Sequence, residues 1–159
     1  MILYWLTRCV GYLAELRVPS FLIFVFAKSF GIAIEDAEKP LSNYVSINDF
    51  FTRALRSELR PIDHMARIIS PVDGEVLISG VIKSGQIFQA KGLSYSLQEL
   101  VKLPSHVFFD DGYFATFYLS PKDCHRIFSP VSGDIIQACL IGGKLLPLYL
   151  YFTPLLQVF

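Results

Sequence analysis

With 159 residues, the chain has the length of one domain and an appendage, enough for one sizeable core but not two. Its 14 basic and 14 acidic side chains balance, which excludes the basic footprint that nucleic-acid binding needs. A hydrophobic content of 53% and a mean hydropathy of +0.47 are high for a soluble domain, and the apolar residues gather at the two ends, where lipid contact is to be sought.

Residues 2–16 read as an amphipathic helix, with Leu6, Cys9, Val10, Leu13 and Leu16 on one side and Arg8 and Glu15 on the other. Pro19 ends it. Ser20 is placed to cap a second segment, FLIFVFAKSFG, that closes at Gly31. That run is shorter than the roughly 20 residues a bilayer span needs, and Lys28 sits inside it. Residues 1–34 are therefore expected to lie in a membrane interface, with Tyr4, Trp5 and Tyr12 at headgroup depth. The competing reading is a pair of ordinary core helices. No basic region or small-residue cleavage site marks the start as a secretory signal.

Residues 35–66 read as a linker and a third helix over 46–56, opened by a capping box of Ser46 and Asp49, with Arg53 and Arg56 outward. RPID at 60–63 is a turn signal. The β-rich portion, 67–146, carries short runs at 75–82, 86–90, 113–119 and 134–141, and a short helix at 96–102 with a second capping box, Ser96 and Glu99. The last stretch, 147–159, is apolar but broken by Pro147 and Pro154, so no helix is expected there.

One phrase occurs twice. SPVDGEVL at 70–77 and SPVSGDII at 129–136 are offset by 59 residues, implying two similar turns feeding two similar strands. If the turns converge, Asp73 of the first and His125, just before the second, supply a carboxylate and an imidazole, two parts of a hydrolase-like triad. The bland alternatives are that Asp73 caps its own Pro-x-Asp-Gly turn and that His125 is structural. Cys124 is poorly placed as nucleophile for His125, because successive strand side chains point to opposite faces.

Other chemistry is weakly supported. His64, His106 and His125 are scattered, without CxxC or HxxxH spacing, so no metal is expected. Gly142-Gly143-Lys144 lacks the rest of a phosphate-binding loop, and Lys91 reads as an exposed turn lysine. The odd, unpatterned cysteines Cys9, Cys124 and Cys139 argue against a disulfide framework and for a reducing compartment.

WLTR (5–8), NDFFTRALR (48–56) with RPID (60–63), SPVDGEV (70–76), FQAKGLSYSLQEL (88–100) and YLSPKDCHRIFSPVSG (118–133) occur in that order. Together they resemble the N-terminal half of bacterial phosphatidylserine decarboxylase proenzyme, over residues 5 to about 146. The resemblance implies peripheral attachment to the cytoplasmic face of the inner membrane and conversion of phosphatidylserine to phosphatidylethanolamine and carbon dioxide. Its cofactor is a pyruvoyl group made from a serine of the chain itself, in a Gly-Ser-Thr segment near the C-terminus, with an Asp–His pair assisting the cut.

By motif, the family aspartate falls on Asp73 and the histidine associated with decarboxylation on His125. The family pattern Y-H-R-x-H-x-P here reads CHRIFSP: Cys124 replaces the tyrosine and Phe128 the histidine that serves as triad base. No serine follows Ser132. The resemblance thus implies a truncated decarboxylase, inactive by itself, or one part of a split enzyme whose separate C-terminal polypeptide carries the pyruvoyl serine. A non-catalytic lipid-binding remnant is the competing reading. The repeated turns also resemble biotinyl or lipoyl carriers, but Lys83 lacks the flanks of a modified lysine. The expected fold is α+β: membrane-interface helices, then a mostly antiparallel barrel-sandwich-like β domain, incomplete at the C-terminus.

Overall fold

The computed structural model describes residues 2–89, 93–102, 109, 111–136, 138 and 140. Lys91, His106, Cys139, the Gly142–Lys144 stretch and the 147–159 tail lie outside the described residues. The fold is α+β. Helices α1 (Ile2–Glu15), α2 (Ser20–Ser29) and α3 (Ile47–Phe51) come first, and a short helix α4 (Leu97–Val101) stands among four strands, β1 (Glu75–Val81), β2 (Gln86–Gln89), β3 (Leu93–Ser96) and β4 (Tyr113–Tyr118).

Helix α2 begins differently from expectation. Its N-cap is Pro19, which makes no side-chain cap, and Ser20 is already helical. Proline's fixed φ and missing N–H suit the edge of a helix, so the first turn starts one residue early. The end is a Schellman motif: Gly31 takes φ +66, its N–H donates to Lys28 C=O, and Ile32 N–H reaches Ala27 C=O at 2.8 Å. The left-handed step returns Ile32 onto the helix it has just left. Ile23, Ala27 and Ile32 then pack with Ala37, Tyr44 and Phe50 into a buried cluster. Tyr44 and Phe50 meet edge to face, with ring centroids 5.2 Å apart.

The core of the chain is thus assembled by residues 18–50, and it uses only one stripe of α2. Phe21, Leu22, Phe24 and Val25 on the same helix stay exposed. On α1, Trp5, Leu6, Val10, Tyr12 and Leu13 are each more than half exposed. Glu15 ties α1 to α3, accepting from Asn48 Nδ2 at 2.7 Å. Among the described residues, no helix is long and apolar enough to cross a membrane.

Ser46 caps α3 by accepting from Asp49 N–H at 3.0 Å, while the Asp49 carboxylate accepts from Val45 N–H at 3.0 Å. The helix nonetheless stops at Phe51 rather than at 56. The backbone beyond it pairs instead with an earlier segment: Glu38 N–H donates to Ala54 C=O, and Arg56 N–H to Asp36 C=O. Arg56 stays exposed as expected, but Arg53 is turned inward and is 2% exposed.

The strands make two separate antiparallel pairs, β1 with β4 and β2 with β3, and no closed barrel is formed among the described residues. In the first pair the register slips between Val76 and Ile78, leaving Leu77 as a bulge. Of the strand expected over 134–141, Asp134, Ile135, Ile136, Ala138 and Leu140 are described and lie in no ladder. Ile135 and Ile136 are almost fully exposed, at 91% and 96%. No pairing partner for this stretch is found among the described residues.

Phe50→Ala empties the centre of the helical core and is expected to cost about 3–5 kcal/mol, whereas Ser46→Ala removes one cap for about 1 kcal/mol. Urea midpoints in detergent check the order; equal losses would contradict a core centred on Phe50.

Candidate active site

The two copies of the repeated phrase are bonded to each other. Ile69 N–H donates to Pro130 C=O at 3.0 Å and Phe128 N–H to Pro71 C=O at 2.8 Å. Each copy also folds on itself in the same way: Ser70 Oγ donates to Val72 C=O at 2.7 Å and Ser129 Oγ to Val131 C=O at 2.6 Å. This serine turn is local chemistry written identically in both copies. Gly74 follows the first turn, and a Cβ there would sit 2.6 Å from Tyr118 C=O, so only glycine permits β1 to leave the turn against β4.

Asp73, in the first turn, is half-buried, and its carboxylate receives three hydrogen bonds. Arg60 donates from Nε to Oδ1 at 2.8 Å and from Nη2 to Oδ2 at 2.9 Å, a bidentate pair. Cys124 N–H donates to Oδ2 at 3.3 Å. The Arg60 hydrogen bonds hold the Asp73 carboxyl below the usual carboxylate range, against burial that pushes it up and with help from Cys124 N–H. The same bonds push the Arg60 guanidinium above its ordinary value.

His125 is reached from the other direction. Ser120, Pro121, Lys122 and Asp123 form a turn in which Asp123 N–H donates to Ser120 C=O at 2.9 Å and Ser120 N–H to Asp123 Oδ2 at 2.7 Å. His125 Nε2 bonds the same Ser120 C=O at 3.0 Å. The imidazole lies on the Phe51 ring, centroids 4.0 Å apart and planes at 32°. Asp73 and His125 are therefore brought to one loop but are not hydrogen-bonded to each other. The side chain at the position of the second family histidine is Phe128, about half exposed, and its ring cannot exchange a proton.

An open cleft of about 450 Å³ lies beside Asp73, lined by Arg60, Asp73, Glu75, Tyr118, Lys122 and Asp123 among others. It carries both signs of charge. Two cations (Arg60, Lys122) and three carboxylates (Asp73, Glu75, Asp123) face a space that suits a zwitterion better than a simple anion. Among the described residues no group of three His, Cys, Asp or Glu is arranged to hold a metal ion.

Two arginines were not legible as site residues. Arg60 stands in the RPID turn, where its pairing with Asp73, 13 residues on, leaves no local signal. Arg53 looks like a surface residue of an amphipathic helix. In the fold its Nη2 donates to Lys122 C=O at 2.7 Å and contacts Asp123 C=O at 3.4 Å, while Cys124 Sγ lies 3.7 Å from Arg53 C=O. Burial lowers the Arg53 guanidinium from its ordinary value, and Nε and Nη1 have no partner. The guanidinium also lies over the Phe50 ring, 5.4 Å from Cζ to the centroid, so a cation–π contact and the bonded loop carbonyls offset part of its burial.

The sequence comparisons decide the ancestry. Residues 47–156, more than half of the chain, match the family model described as phosphatidylserine decarboxylase. The chain belongs to the phosphatidylserine decarboxylase family. It is 44% identical over 147 residues to the phosphatidylserine decarboxylase proenzyme of Hahella chejuensis, covering 88% of this chain and 50% of that protein. The proenzyme of Azotobacter vinelandii is likewise 44% identical, over 88% of this chain and 51% of its own length. That of Legionella pneumophila is 40% identical, with 88% and 51% covered. The chain thus spans about half the length of the curated decarboxylases it matches.

Because the folded-state Asp73 carboxyl titrates below its unfolded value near 3.9, its contribution is complete above about pH 4 and is lost as pH falls through the folded value. Arg60 is half exposed, so the pair is worth less than about 1 kcal/mol. Asp73→Asn is expected to be slightly less stable at pH 7 and to show a shallower acid limb in urea titrations. An unchanged limb would remove the ion pair as its source.

Proposed function

We propose that residues 1–159 form the lipid-facing half of a phosphatidylserine decarboxylase, which converts phosphatidylserine to phosphatidylethanolamine and carbon dioxide. One observation carries the reading: the paired SPVxG turns, with Cys124 N–H on Asp73, gather the family's aspartate and the His125 loop at one mixed-charge cleft. Asp73 and His125 are the proposed site residues. Family membership and about 88% coverage of this chain by the proenzymes support it.

The cleft suits the substrate headgroup. Arg60 and Lys122 are placed for its phosphate and carboxylate, and Glu75 and Asp123 for its ammonium. Opposite charges held in one partly dry cleft orient a zwitterion and exclude its reversal. The pyruvoyl group, when present, supplies the electron sink for loss of carbon dioxide. The residues here fit it as neighbours rather than as its source: the cleft is open, and no serine follows Ser132. In our reading a serine-bearing segment outside residues 1–159 provides it, supplies strands to the two-stranded sheets and completes a barrel-sandwich-like domain.

Residues 1–34 are proposed as the membrane-associating unit, 35–66 as the connection, and 67–146 as the catalytic portion, leaving 147–159 outside the family pattern. The exposed apolar faces of α1 and α2, with Arg8 near Trp5 and Lys28 over Phe24 at 5.7 Å, support peripheral attachment at the cytoplasmic face of the inner membrane. A second reading, a non-catalytic lipid-binding protein, is favoured by Phe128 and by the bidentate hold of Arg60 on Asp73, which together leave the carboxylate without an imidazole to orient.

Labelled phosphatidylserine separates the two. The polypeptide of residues 1–159 is expected to release no carbon dioxide alone and to do so when the serine-bearing segment of a relative is added, with His125→Gln lowering the rate about 10²–10⁴-fold. Phe128→His is expected to speed cutting of that segment by a similar factor. Headgroup-dependent flotation on vesicles without any decarboxylation would favour the second reading instead.

A further inference from the structure

We infer that His125 works through Nδ1, and that Phe51 and the Ser120 carbonyl are the groups that fix it in that state. This deepens the decarboxylase reading and rests on it. A carbonyl oxygen only accepts, so the 3.0 Å contact to Ser120 C=O requires the proton of a neutral His125 to be on Nε2. Nδ1 then carries the lone pair, and no hydrogen bond to it is found among the described residues.

The acceptor is itself fixed twice. Pro121 presets the turn, and Asp123 closes it from both its N–H and its carboxylate. A carbonyl oxygen has two lone pairs, and Ser120 uses one for Asp123 N–H and the other for the imidazole.

The ring plane is set by α3 and the residues just after it. Phe51 stacks on His125, Thr52 C=O accepts from Arg126 Nε at 2.9 Å, and Arg53 holds Lys122 C=O. Three consecutive residues thus grip the loop on both sides of the histidine. Phe51 is in turn backed by Phe26 of α2, edge to face at 6.3 Å, so the stack is anchored in the helical core. With Nε2–H committed to the backbone, one proton moves at one atom: Nδ1 accepts it from the reacting lipid, giving the imidazolium with Nε2–H unchanged, and returns it there. Phe51 touches neither substrate nor cofactor and is a positioning residue.

Histidine-selective ¹⁵N NMR of residues 1–159 in detergent tests the assignment, with His125→Asn identifying the signal. The neutral ring is expected as the Nε2–H tautomer in the wild-type chain; an Nδ1–H tautomer would overturn the inference. Phe51→Leu stays apolar but removes the π face and is expected to mix the tautomers, while Phe51→Tyr restores the single one; the wild-type result stands even if the leucine variant misfolds. With the serine-bearing segment supplied, Phe51→Leu is expected to lower kcat about 10²-fold with KM little changed, and Phe51→Tyr to recover most of it. An unchanged kcat sinks the positioning role. No decarboxylation by the wild-type mixture instead sinks the decarboxylase reading, and the tautomer spectrum tells the two failures apart.

Discussion

A buried guanidinium stands where the helical part of this molecule meets the loop of the candidate site. Arg53 leaves the end of α3, is almost fully buried, and uses its one paired nitrogen on the carbonyls of Lys122 and Asp123. Placing a cation there is costly. What it organises is the loop 122–126, whose Cys124 N–H binds Asp73 and whose next residue is His125. The Phe51–His125 stack and the Arg126 Nε bond to Thr52 C=O hold the same loop from the neighbouring residues, so helix and loop are joined by three successive contacts. Asp73 and His125 owe their common address to these contacts together with the paired turns.

The repeat explains the other side of the loop. Copies of one phrase make one kind of serine turn, and turns of one kind can pair with each other as 69–71 and 128–130 do. Pseudo-symmetry places the copies; the asymmetry lies in what each contributes. The first offers a carboxylate, and the second offers Phe128 where a proton acceptor is expected. Arg60 then takes up both carboxylate oxygens. A bidentate arginine is a sensible partner for an aspartate that no imidazole claims, and it keeps Asp73 charged at the mouth of the cleft.

Much of this was legible from local chemistry. Both serine N-caps are made where read, Ser46 accepting from Asp49 N–H and Ser96 from Glu99 N–H, because a cap involves residues three apart; the Asp49 carboxylate, however, accepts from Val45 N–H rather than closing a box on Ser46 N–H. Strands β1, β2 and β4 lie where short apolar runs bounded by turn residues put them. The larger errors depend on distant partners. The helix over 46–56 loses its second half to backbone pairing with residues 36–38, and that same pairing turns Arg53 from surface to interior. β3 was missed although Leu93-Ser94-Tyr95-Ser96 alternates as a strand does: it is only four residues long and Ser96 also caps α4, the signal that was read there. The stretch 134–136 has β-branched residues and no ladder, since residue type alone does not supply a neighbouring strand.

The exposed apolar residues then fall into two sets with different physical needs. On α1 and α2 they sit on regular helices whose backbone hydrogen bonds are already internal, so a fluid, featureless phase satisfies them. On 62–68 and 127–136, Ile62, Met65, Ile68, Ile127, Ile135 and Ile136 are exposed on turns, bends and irregular chain outside the strand ladders. Lipid cannot cover that second surface, because it offers no hydrogen bonds to an open backbone. A polypeptide strand does offer them. The two apolar surfaces thus differ in what their backbones leave unmet, the helical one nothing and the irregular one its hydrogen bonds. The cleft beside Asp73, lined from β1, β4 and the 120–123 turn, belongs to this second part, where an unmet backbone and a charged site share one region.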